Sequence, residues 1–358
     1  MSEHGAAVAP ALAGDPIARA ISLTDYVRRS PFAVGGPAAH KEWQHFAILA
    51  PGIDLLVNFS SCDDVRPGVT AGGELPRVVL LVRERAWDGD VETFASEEAR
   101  IRDGRIDFAL RHNTLTFRDG VFHIAVEAAE RPIALELHLE PRTMPAFVQN
   151  IHMLDGPPLH WVVVPRLRTT GWLRVAGREH RLDGAPAYHD HNWGHFLWGH
   201  DVAWEWGFVL PESESIPWCL TFVRLTNRAR TAALEQGLFL WRGERAVGVF
   251  RQHDVAFSTD AALLKPQRVF KVPRAMALVA PEAACDVPRS LEVRAAMGRD
   301  WVECRAEAQE VAQVLIPSET GLGVTIFNEV TARTRVRGSV GGETFAFEGR
   351  SILEFIRA

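Results

Sequence analysis

Cysteine is scarce in this 358-residue sequence, and its few occurrences lie far apart. Cys62, Cys219, Cys285 and Cys304 form no CxxC motif. Zinc knuckles and disulfide scaffolds depend on closely spaced or numerous cysteines, so neither is expected. Sparse cysteine usage fits a reducing compartment, and we expect a cytoplasmic protein.

Long basic runs and long apolar runs are also missing. The 39 Lys and Arg residues stand against 45 Asp and Glu, which gives a net charge of -6, so nucleic acid is not an expected partner. No apolar stretch approaches the roughly 18–20 residues that cross a bilayer. Residues 1–20 have neither a basic segment nor a continuous apolar segment, so we expect no secretory signal peptide.

Several motifs of nucleotide-binding and hydrolytic enzymes are absent as well. The sequence contains no GxGxxG fingerprint, no P-loop and no GxSxG motif. These absences disfavour nucleotide-binding α/β folds and serine hydrolases of the nucleophile-elbow type.

Alternation of apolar and polar residues dominates the chain after about residue 40. The clearest run is Ile133–Leu139, in which every second side chain is Ile or Leu. Similar runs occur at 54–59, 78–82, 106–110, 114–117, 121–126, 203–210, 218–225, 238–241, 246–250, 291–296, 301–306, 324–327, 330–336, 344–347 and 352–356. Alternation of this kind is typical of antiparallel strands with one buried face.

Helical signals are few by comparison. Asp15 and Pro16 form a helix-start signal, and only 96–102 and 288–290 are further candidates. We therefore predict an all-β protein of two successive antiparallel β-barrels or sandwiches with few short helices. The predicted division is residues 1–40 as an N-terminal segment with one short helix, 41–200 as the first domain and 201–358 as the second. Barrels of about eight strands often enclose one apolar ligand.

Chemically active side chains concentrate between residues 187 and 206. This segment holds four His, two Asp, one Glu, four Trp and one of the two tyrosines. In an extended strand, Tyr188, Asp190 and Asn192 share one face, whereas His189 and His191 share the other.

The residues alone leave three interpretations of this cluster open. The Asp190 face is a proton-donating site at the mouth of an apolar cavity, or His189 and His191 bind a metal together with His195 or His200. An HxH pair on a strand is a known ligand spacing. In the third interpretation, the cluster closes a strand–loop corner with buried hydrogen bonds and has no chemical role.

The segment Ala187–Gly194 resembles the YxDHNWG signature of the hydroxyneurosporene synthase (carotenoid 1,2-hydratase) family. A second patch, Glu42–Phe46 followed by Leu55–Phe59, looks like the opening strands of that family. In that family the segment that corresponds to residues 42–46 is usually closer to WWYF, and Gln44 and His45 depart from that pattern. Because the family consists of two lipocalin-like domains, the resemblance implies that architecture for most of this chain.

The resemblance also implies acid catalysis on an isoprenoid alkene without a cofactor. By position, Asp190 is the aspartate that protonates a terminal trisubstituted double bond, and Tyr188 is its companion. Water then captures the tertiary cation. Relatives with the same architecture act as cyclases or pericyclases, so cyclisation of a terpenoid or polyketide is one alternative. A non-catalytic carrier of an apolar ligand is another.

A pocket that stabilises a carbocation needs aromatic walls, because indole faces attract a cation without reacting with it. The predicted substrate-binding residues are Asn192, His191, Trp193, Trp204, Trp206, Trp161, Trp172 and Trp43, with Trp198 also near the acid. For each tryptophan taken singly, packing in the core is the plainer interpretation. The expected partner is an apolar small molecule, which the protein would reach without a transmembrane segment through transient contact with a membrane surface.

No metal is expected at the HxH pair, because the matching motif works without metal and no spacing fixes a third ligand. Stoichiometric zinc or iron bound through His189 and His191 would overturn this expectation. The other polar residues that we considered are predicted to be structural or solvent-exposed; they are His45, His152, His160 and His253, and the strand residues Asp254 and Glu354.

Overall fold

The fold is known from a computed structural model that describes residues 15–28, 40–63, 74–151, 158–196, 203–227, 230–260, 269–281, 287–317 and 324–357. Strands dominate these ranges and form two antiparallel sheets. The predicted all-β fold class is confirmed.

The first sheet contains 13 strands within the described residues. Its strands are β1 His40–Ala50, β2 Ile53–Asp63, β3 Glu74–Arg83, β4 Trp87–Thr93, β5 Ala99–Ile101, β6 Asp107–Leu110, β7 Asn113–Arg118, β8 Val121–Glu127, β9 Ile133–Pro141, β10 Ala146–Ile151, β11 Leu159–Val175, β12 Arg178–Arg181 and β13 Pro186–His195. Along β9 buried residues alternate with more exposed ones, as the sequence pattern predicts.

The second sheet contains 10 strands in the described part of the chain. They are β14 Ala203–Pro211, β15 Trp218–Thr226, β16 Ala233–Arg242, β17 Arg245–Arg251, β18 Val255–Thr259, β19 Phe270–Val272, β20 Ser290–Met297, β21 Asp300–Pro317, β22 Val324–Val340 and β23 Glu343–Arg357. The short β19 pairs with β21 in parallel, which is an exception to the predicted antiparallel pattern.

Both sheets follow the same strand order. In the first, β4-β3-β2-β1 is followed by the last strand, β13, and then by β11-β9-β8-β7-β6-β5. In the second, β17-β16-β15-β14 is followed by β23 and then by β22-β21-β20-β18. Each sheet therefore pairs its first strand with its last, which makes β13 and β23 central strands.

Three apolar clusters fill the space around these sheets. One lies within the first sheet and includes Phe46, Phe122 and Leu137, and another lies within the second sheet. The third contains Tyr188, Trp206 and other side chains from both sheets, so it lies at their junction. Side chains fill the interior of the first sheet, whereas Tyr188 and Trp206 pack with side chains of both sheets at the junction.

Polar contacts also join the two sheets. The guanidinium of Arg350 on β23 donates to the backbone oxygen of Ala50 at 2.6 Å and forms an ion pair with Asp54 on β2. The Trp241 indole donates to the backbone oxygen of Met144 at 3.1 Å. The junction is therefore fixed by directional bonds as well as by apolar packing.

Helices are short in the described residues. The helix α1, Pro16–Thr24, begins where the sequence predicts, and Asp15 Oδ1 accepts from the Ile17 backbone N–H at 2.9 Å. The helix α2 spans Arg274–Val279. None of the described helices has the length and apolar character needed to cross a membrane.

Of the two further helical candidates from the sequence, one is helical only at its start and the other was wrong. Within residues 96–102, Ser96–Glu98 forms a 3₁₀ helix and the strand β5 follows it. Residues 288–290 form a bridge and a bend that lead into β20. In both places pairing with a neighbouring strand decides the local conformation, and it overrides a weak local helical preference.

Candidate active site between the two sheets

A cavity lies at the junction, and strands of both sheets line it. The first sheet contributes residues of β1, β2, β3, β10, β11 and β13, and the second contributes residues of β14, β15, β21, β22 and β23. The space open to the centres of water molecules is about 130 Å³, roughly ten times the 10–15 Å³ that one water needs. Side chains such as Leu81, Val223 and Ile316 form apolar walls, so the cavity suits a mostly apolar small molecule.

Asp190 faces this cavity from the middle of β13. The strand lies between β1 and β11, where Asp190 pairs with His45 and Val163 in the two registers. The Tyr188 hydroxyl donates to Asp190 Oδ2 at 2.9 Å, and Asn192 Nδ2 donates to Oδ1 at 3.2 Å. A central strand with partners on both edges is a rigid support for a reacting group.

The environment of Asp190 favours its neutral form. Burial raises the pKa of Asp190 to about 8, although hydrogen bonds from Tyr188 and Trp161 act in the opposite direction. The nearby Glu354 carboxyl raises the pKa further. At neutral pH most Asp190 side chains therefore carry a proton, and the group is a carboxylic acid that faces an apolar cavity.

Four indole rings line the same cavity as the acid. Trp43, Trp161, Trp204 and Trp206 all line the cavity. The rings of Trp43 and Trp204 stack with centroids 5.8 Å apart, and Trp206 lies edge-on to Tyr188 at 5.2 Å. These four of the predicted substrate-binding tryptophans are therefore brought together around one space.

Tyr188 takes a different position from the tryptophans. Its side chain is fully buried and stacks on Phe208, with centroids 4.2 Å apart and an interplanar angle of 4°. The hydroxyl donates to Asp190, whereas the ring is packed in the core and does not line the cavity. This geometry suits a group that orients the acid.

The other face of β13 carries a buried polar network that the sequence did not reveal. Asp25 directly follows α1 and hydrogen-bonds two histidines of β13. Its Oδ2 lies 2.7 Å from His189 Nε2, and its Oδ1 lies 2.8 Å from His191 Nδ1. His191 Nε2 lies 2.7 Å from Glu42 Oε1 on β1, and His189 Nδ1 lies 2.9 Å from the backbone oxygen of His45.

The His191 ring therefore hydrogen-bonds two carboxyls, and these two groups determine the direction in which its pKa shifts. Burial alone would lower the pKa of His191, but the hydrogen bonds and charges of Asp25 and Glu42 outweigh burial and raise it. The charges and hydrogen bonds of His189 and His191 hold the pKa of Asp25 well below its usual range, against the opposing effect of burial. The network is an ion-pair cluster inside the first sheet.

Three predicted substrate-binding residues lie away from the cavity. His191 belongs to the network on the opposite face of β13, and Trp193 stacks on His160 at 5.2 Å beneath the guanidinium of Arg28. Trp172 is half-buried near the end of β11, with Arg174 over its ring. These three residues do not line the cavity, and their contact with a substrate stays a prediction. Trp198, His200 and His152 lie outside the described residues.

The HxH pair has an arrangement that competes with metal binding. All four ring nitrogens of His189 and His191 have protein partners within 2.7–2.9 Å. Among the described residues no group of His, Cys, Asp and Glu has the geometry of a metal site. A metal would have to displace the bonds to Asp25 and Glu42, so the expectation of a metal-free site stands as a prediction.

Sequence reasoning missed many of the polar residues that line the cavity. They are Lys41, Glu42, His45, Asn58, Ser60, Ser61, Cys62, Arg77, Glu329 and Glu354. Glu354 was predicted to be a solvent-face charge, and the structure corrects this, because its carboxyl accepts a hydrogen bond from the Trp204 indole at the junction. The strand pattern held a signal for it. Glu354 shares a face of β23 with Ile352 and Ile356, both fully buried at the junction, and a carboxyl on an apolar strand face indicates burial.

The sequence matches no protein-family model and no curated protein. Its fold is similar to solved structures at low identity. A protein assigned as AttH from Nitrosomonas europaea has a TM-score of 0.63 at 13% identity, over 91% of this chain and 98% of that one. Kievitone hydratase from Nectria haematococca has a TM-score of 0.57 at 12% identity, over 94% and 96%. CghA with Sch210972 has a TM-score of 0.58 at 14% identity, over 90% and 89%. At such identities the similarity establishes a shared two-domain, lipocalin-like fold.

Proposed function

We propose that this protein is a cofactor-independent hydratase that adds water to a trisubstituted alkene of an isoprenoid. Asp190 protonates the alkene, and water captures the tertiary cation. The observation that carries the proposal is the buried carboxyl of Asp190, which lines a cavity together with four tryptophans and whose pKa burial raises to about 8. Similarity of fold to a hydratase agrees with this reaction class but does not select the substrate.

An alkene is a weak base, so its protonation needs an acid that is already protonated and positioned. The raised pKa of Asp190, about 8, supplies the protonated form at neutral pH. Donors from Tyr188 and Asn192 hold both carboxyl oxygens, so they also stabilise the carboxylate that forms as the proton leaves.

The cavity also suits the cation that follows. Indole faces stabilise positive charge by about 0.5–2 kcal/mol each, and more as water is excluded. Trp43, Trp204 and Trp206 supply such faces close to the acid. Their rings carry no hydroxyl or amine that would trap the cation.

A carrier of an apolar ligand is the main alternative, and burial of polar groups argues against it. Asp190 and Glu329 are 4% and 5% exposed, yet both line the cavity. Burying carboxyls lowers the stability of the folded protein. A carrier that only retains an apolar ligand has no use for these carboxyls, whereas an acid catalyst needs them.

The experiment is incubation with lycopene, neurosporene, farnesol and geraniol in ¹⁸O-labelled water. The expected product is heavier than its substrate by one labelled water. An isomer of unchanged mass would indicate cyclisation instead, and retention of an unchanged ligand would support the carrier. Neither of these outcomes is compatible with a hydratase.

We expect turnover to fall as pH rises through about 8. The raised pKa of Asp190 means that the acid form is present below this value and is lost above it. A neutral alkene does not titrate in this range, so the fall in turnover reports a titrating group of the protein. The groups around Asp190 are Tyr188, Asn192, Trp161, His191 and Glu354, of which His191 lowers its pKa and Glu354 raises it. The kcat measured from neutral to mildly alkaline pH tests this, and a flat profile would contradict it.

We expect Tyr188→Phe to slow turnover by about 1–3 kcal/mol of barrier, the range for one positioned donor. The hydroxyl lowers the pKa of Asp190, so its loss weakens the acid and moves the alkaline limb of the kcat profile to higher pH. Tyr26→Phe is the matched control, since Tyr26 is the second of the 2 tyrosines and is not a cavity residue. A limb that moves to lower pH would contradict this role.

A further inference from the structure

Two glutamates of the second sheet lie side by side on the cavity wall. Glu329 on β22 is directly opposite Glu354 on β23 in the antiparallel register, and both line the cavity. The Trp204 indole N–H donates to Glu354. Trp206 on β14 is the register neighbour of Glu354, and its ring packs against Tyr188. One indole therefore adjoins both the glutamate pair and the group that holds Asp190.

The groups that act on this pair are acidic or neutral. Burial raises the pKa of Glu329 well above its ordinary value, and the charge of Glu354, its hydrogen bond and the charge of Asp190 act in the same direction. Burial also raises the pKa of Glu354, although hydrogen bonds with Glu329 and Trp204 act against it. Two carboxyls that lie side by side in a buried site cannot both ionise at low cost, so we expect the pair to share one proton.

A buried polar atom of the same cavity has no partner among the described residues. His45 is 7% exposed and lines the cavity, and its Nε2 has no hydrogen bond. Buried polar atoms are nearly always bonded, so His45 Nε2 calls for a polar guest in the cavity.

His45 is a suitable neighbour for such a guest. Burial lowers the pKa of His45 to about 3, and the charge of His189 lowers it further. The imidazole is therefore neutral, and it can exchange a hydrogen bond with an O–H group without competing for its proton. In the register of β1 and β13 it lies directly opposite Asp190.

We propose that the Glu329–Glu354 pair is a second catalytic centre of this cavity, which binds the O–H group that attacks the cation and takes up its proton. The proposal rests on one step of the proposed function, the protonation of the alkene by Asp190. The attacking O–H belongs to water, or to a hydroxyl of the substrate itself, and the two sources give different products. His45 provides a further hydrogen bond to the same oxygen.

The step balances in atoms and charge. The C–H bond forms with the proton of Asp190, and the alkene becomes a tertiary cation beside an Asp190 carboxylate. The oxygen lone pair then forms the C–O bond, and the resulting oxonium loses one proton to the glutamate pair. Three carboxyls that began with two protons end with two, so their summed charge is unchanged. One proton returning from the pair to Asp190 through solvent restores the starting state.

The test compares Glu329→Gln and Glu354→Gln in heavy water. Without the base, Asp190 still protonates the alkene, but the cation reverts by losing a proton from a neighbouring carbon. We expect alcohol formation to fall about 10²–10³-fold, while deuterium continues to enter the recovered alkene. Asp190→Asn should abolish both. Glu348→Gln, on the solvent face of β23, is the matched control and should leave both unchanged.

Two results would overturn the proposal: Glu→Gln variants that form alcohol at the wild-type rate, or variants that lose alcohol and deuterium label together. Glu354→Asp keeps a carboxyl and should recover part of the alcohol, whereas a purely structural role predicts no such recovery. Label from ¹⁸O-water in the product identifies water as the nucleophile. A cyclic ether without label identifies a hydroxyl of the substrate as the nucleophile. Either product supports the glutamate pair as the base that takes up the proton.

A measurement without substrate separates this proposal from the hydration itself. Infrared difference spectra in light and heavy water show the C=O stretch of protonated carboxyls. At neutral pH we expect one such band from Asp190 and a second from the pair, the second disappearing in Glu329→Gln while the first remains. If the pair gives no band, it holds no proton and the proposal fails, whatever the substrate turns out to be.

Discussion

Asp190→Asn should reduce turnover by about 10²–10⁴-fold, the range that a positioned general acid contributes, while the melting temperature stays near that of the wild type. The substitution preserves the shape of the side chain but removes the transferable proton. The amide oxygen can still accept from Asn192, and the Tyr188 hydroxyl can accept from the new NH₂ group in place of donating. A neutral amide replaces a carboxyl that is mostly protonated at neutral pH, so the substitution buries no new charge.

The two quantities have to be measured on the same preparation, kcat with the probe that the wild type converts and melting temperature by circular dichroism. Asp183→Asn is the control, because Asp183 is an exposed aspartate far from the cavity lining. If Asp190 only supported a buried hydrogen-bond network, melting temperature and kcat would fall together. A stable variant with near-wild-type kcat would rule out Asp190 as the proton donor.

The chemistry of β13 was predictable from the sequence because alternation along a strand is a local property. Tyr188, Asp190 and Asn192 share a face in the structure, as strand geometry requires. Both faces of this strand are buried, and the polar residues on each face are hydrogen-bonded to protein partners. The hydrogen bonds from Tyr188 and Asn192 to Asp190 join residues only two apart in the chain.

The partners of the opposite face were not predictable in this way. Asp25 meets His189 and His191 from 164 and 166 residues away, and its position depends on how α1 packs against the first sheet. Alternation states which side chains point together but not which element covers them. Histidines on the buried side of a strand need a carboxylate or carbonyl partner, yet the sequence offers 45 acidic residues and does not select one.

The glutamate pair lay beyond prediction for a related reason. Glu329 and Glu354 face the cavity because the second sheet turns that face of β22 and β23 towards the first sheet. The apolar neighbours Ile352 and Ile356 were the one local sign of burial, and the packing of two sheets against each other determines the rest.

Asp25→Asn should lower the free energy of unfolding by about 3–5 kcal/mol, because it leaves a buried histidine charge without one of its two partners. Asp25 is 2% exposed and accepts from His189 and His191 at 2.7 and 2.8 Å. Urea unfolding followed by circular dichroism measures the loss. Asp15→Asn, at the other end of α1, is the matched control, since asparagine caps a helix N-terminus as well as aspartate does.

The pH dependence distinguishes a charged network from simple packing. The lowered pKa of Asp25 gives stability that is present above its ordinary value of 3.8 and is lost as pH falls towards the lowered one. The raised pKa of His191 gives stability that is complete below 6.5 and is lost as pH rises through the raised value. The wild type should therefore be most stable between these limits, and Asp25→Asn should flatten both slopes. A variant that loses the same free energy at every pH would indicate that Asp25 contributes packing alone, because only a change of charge makes the loss depend on pH.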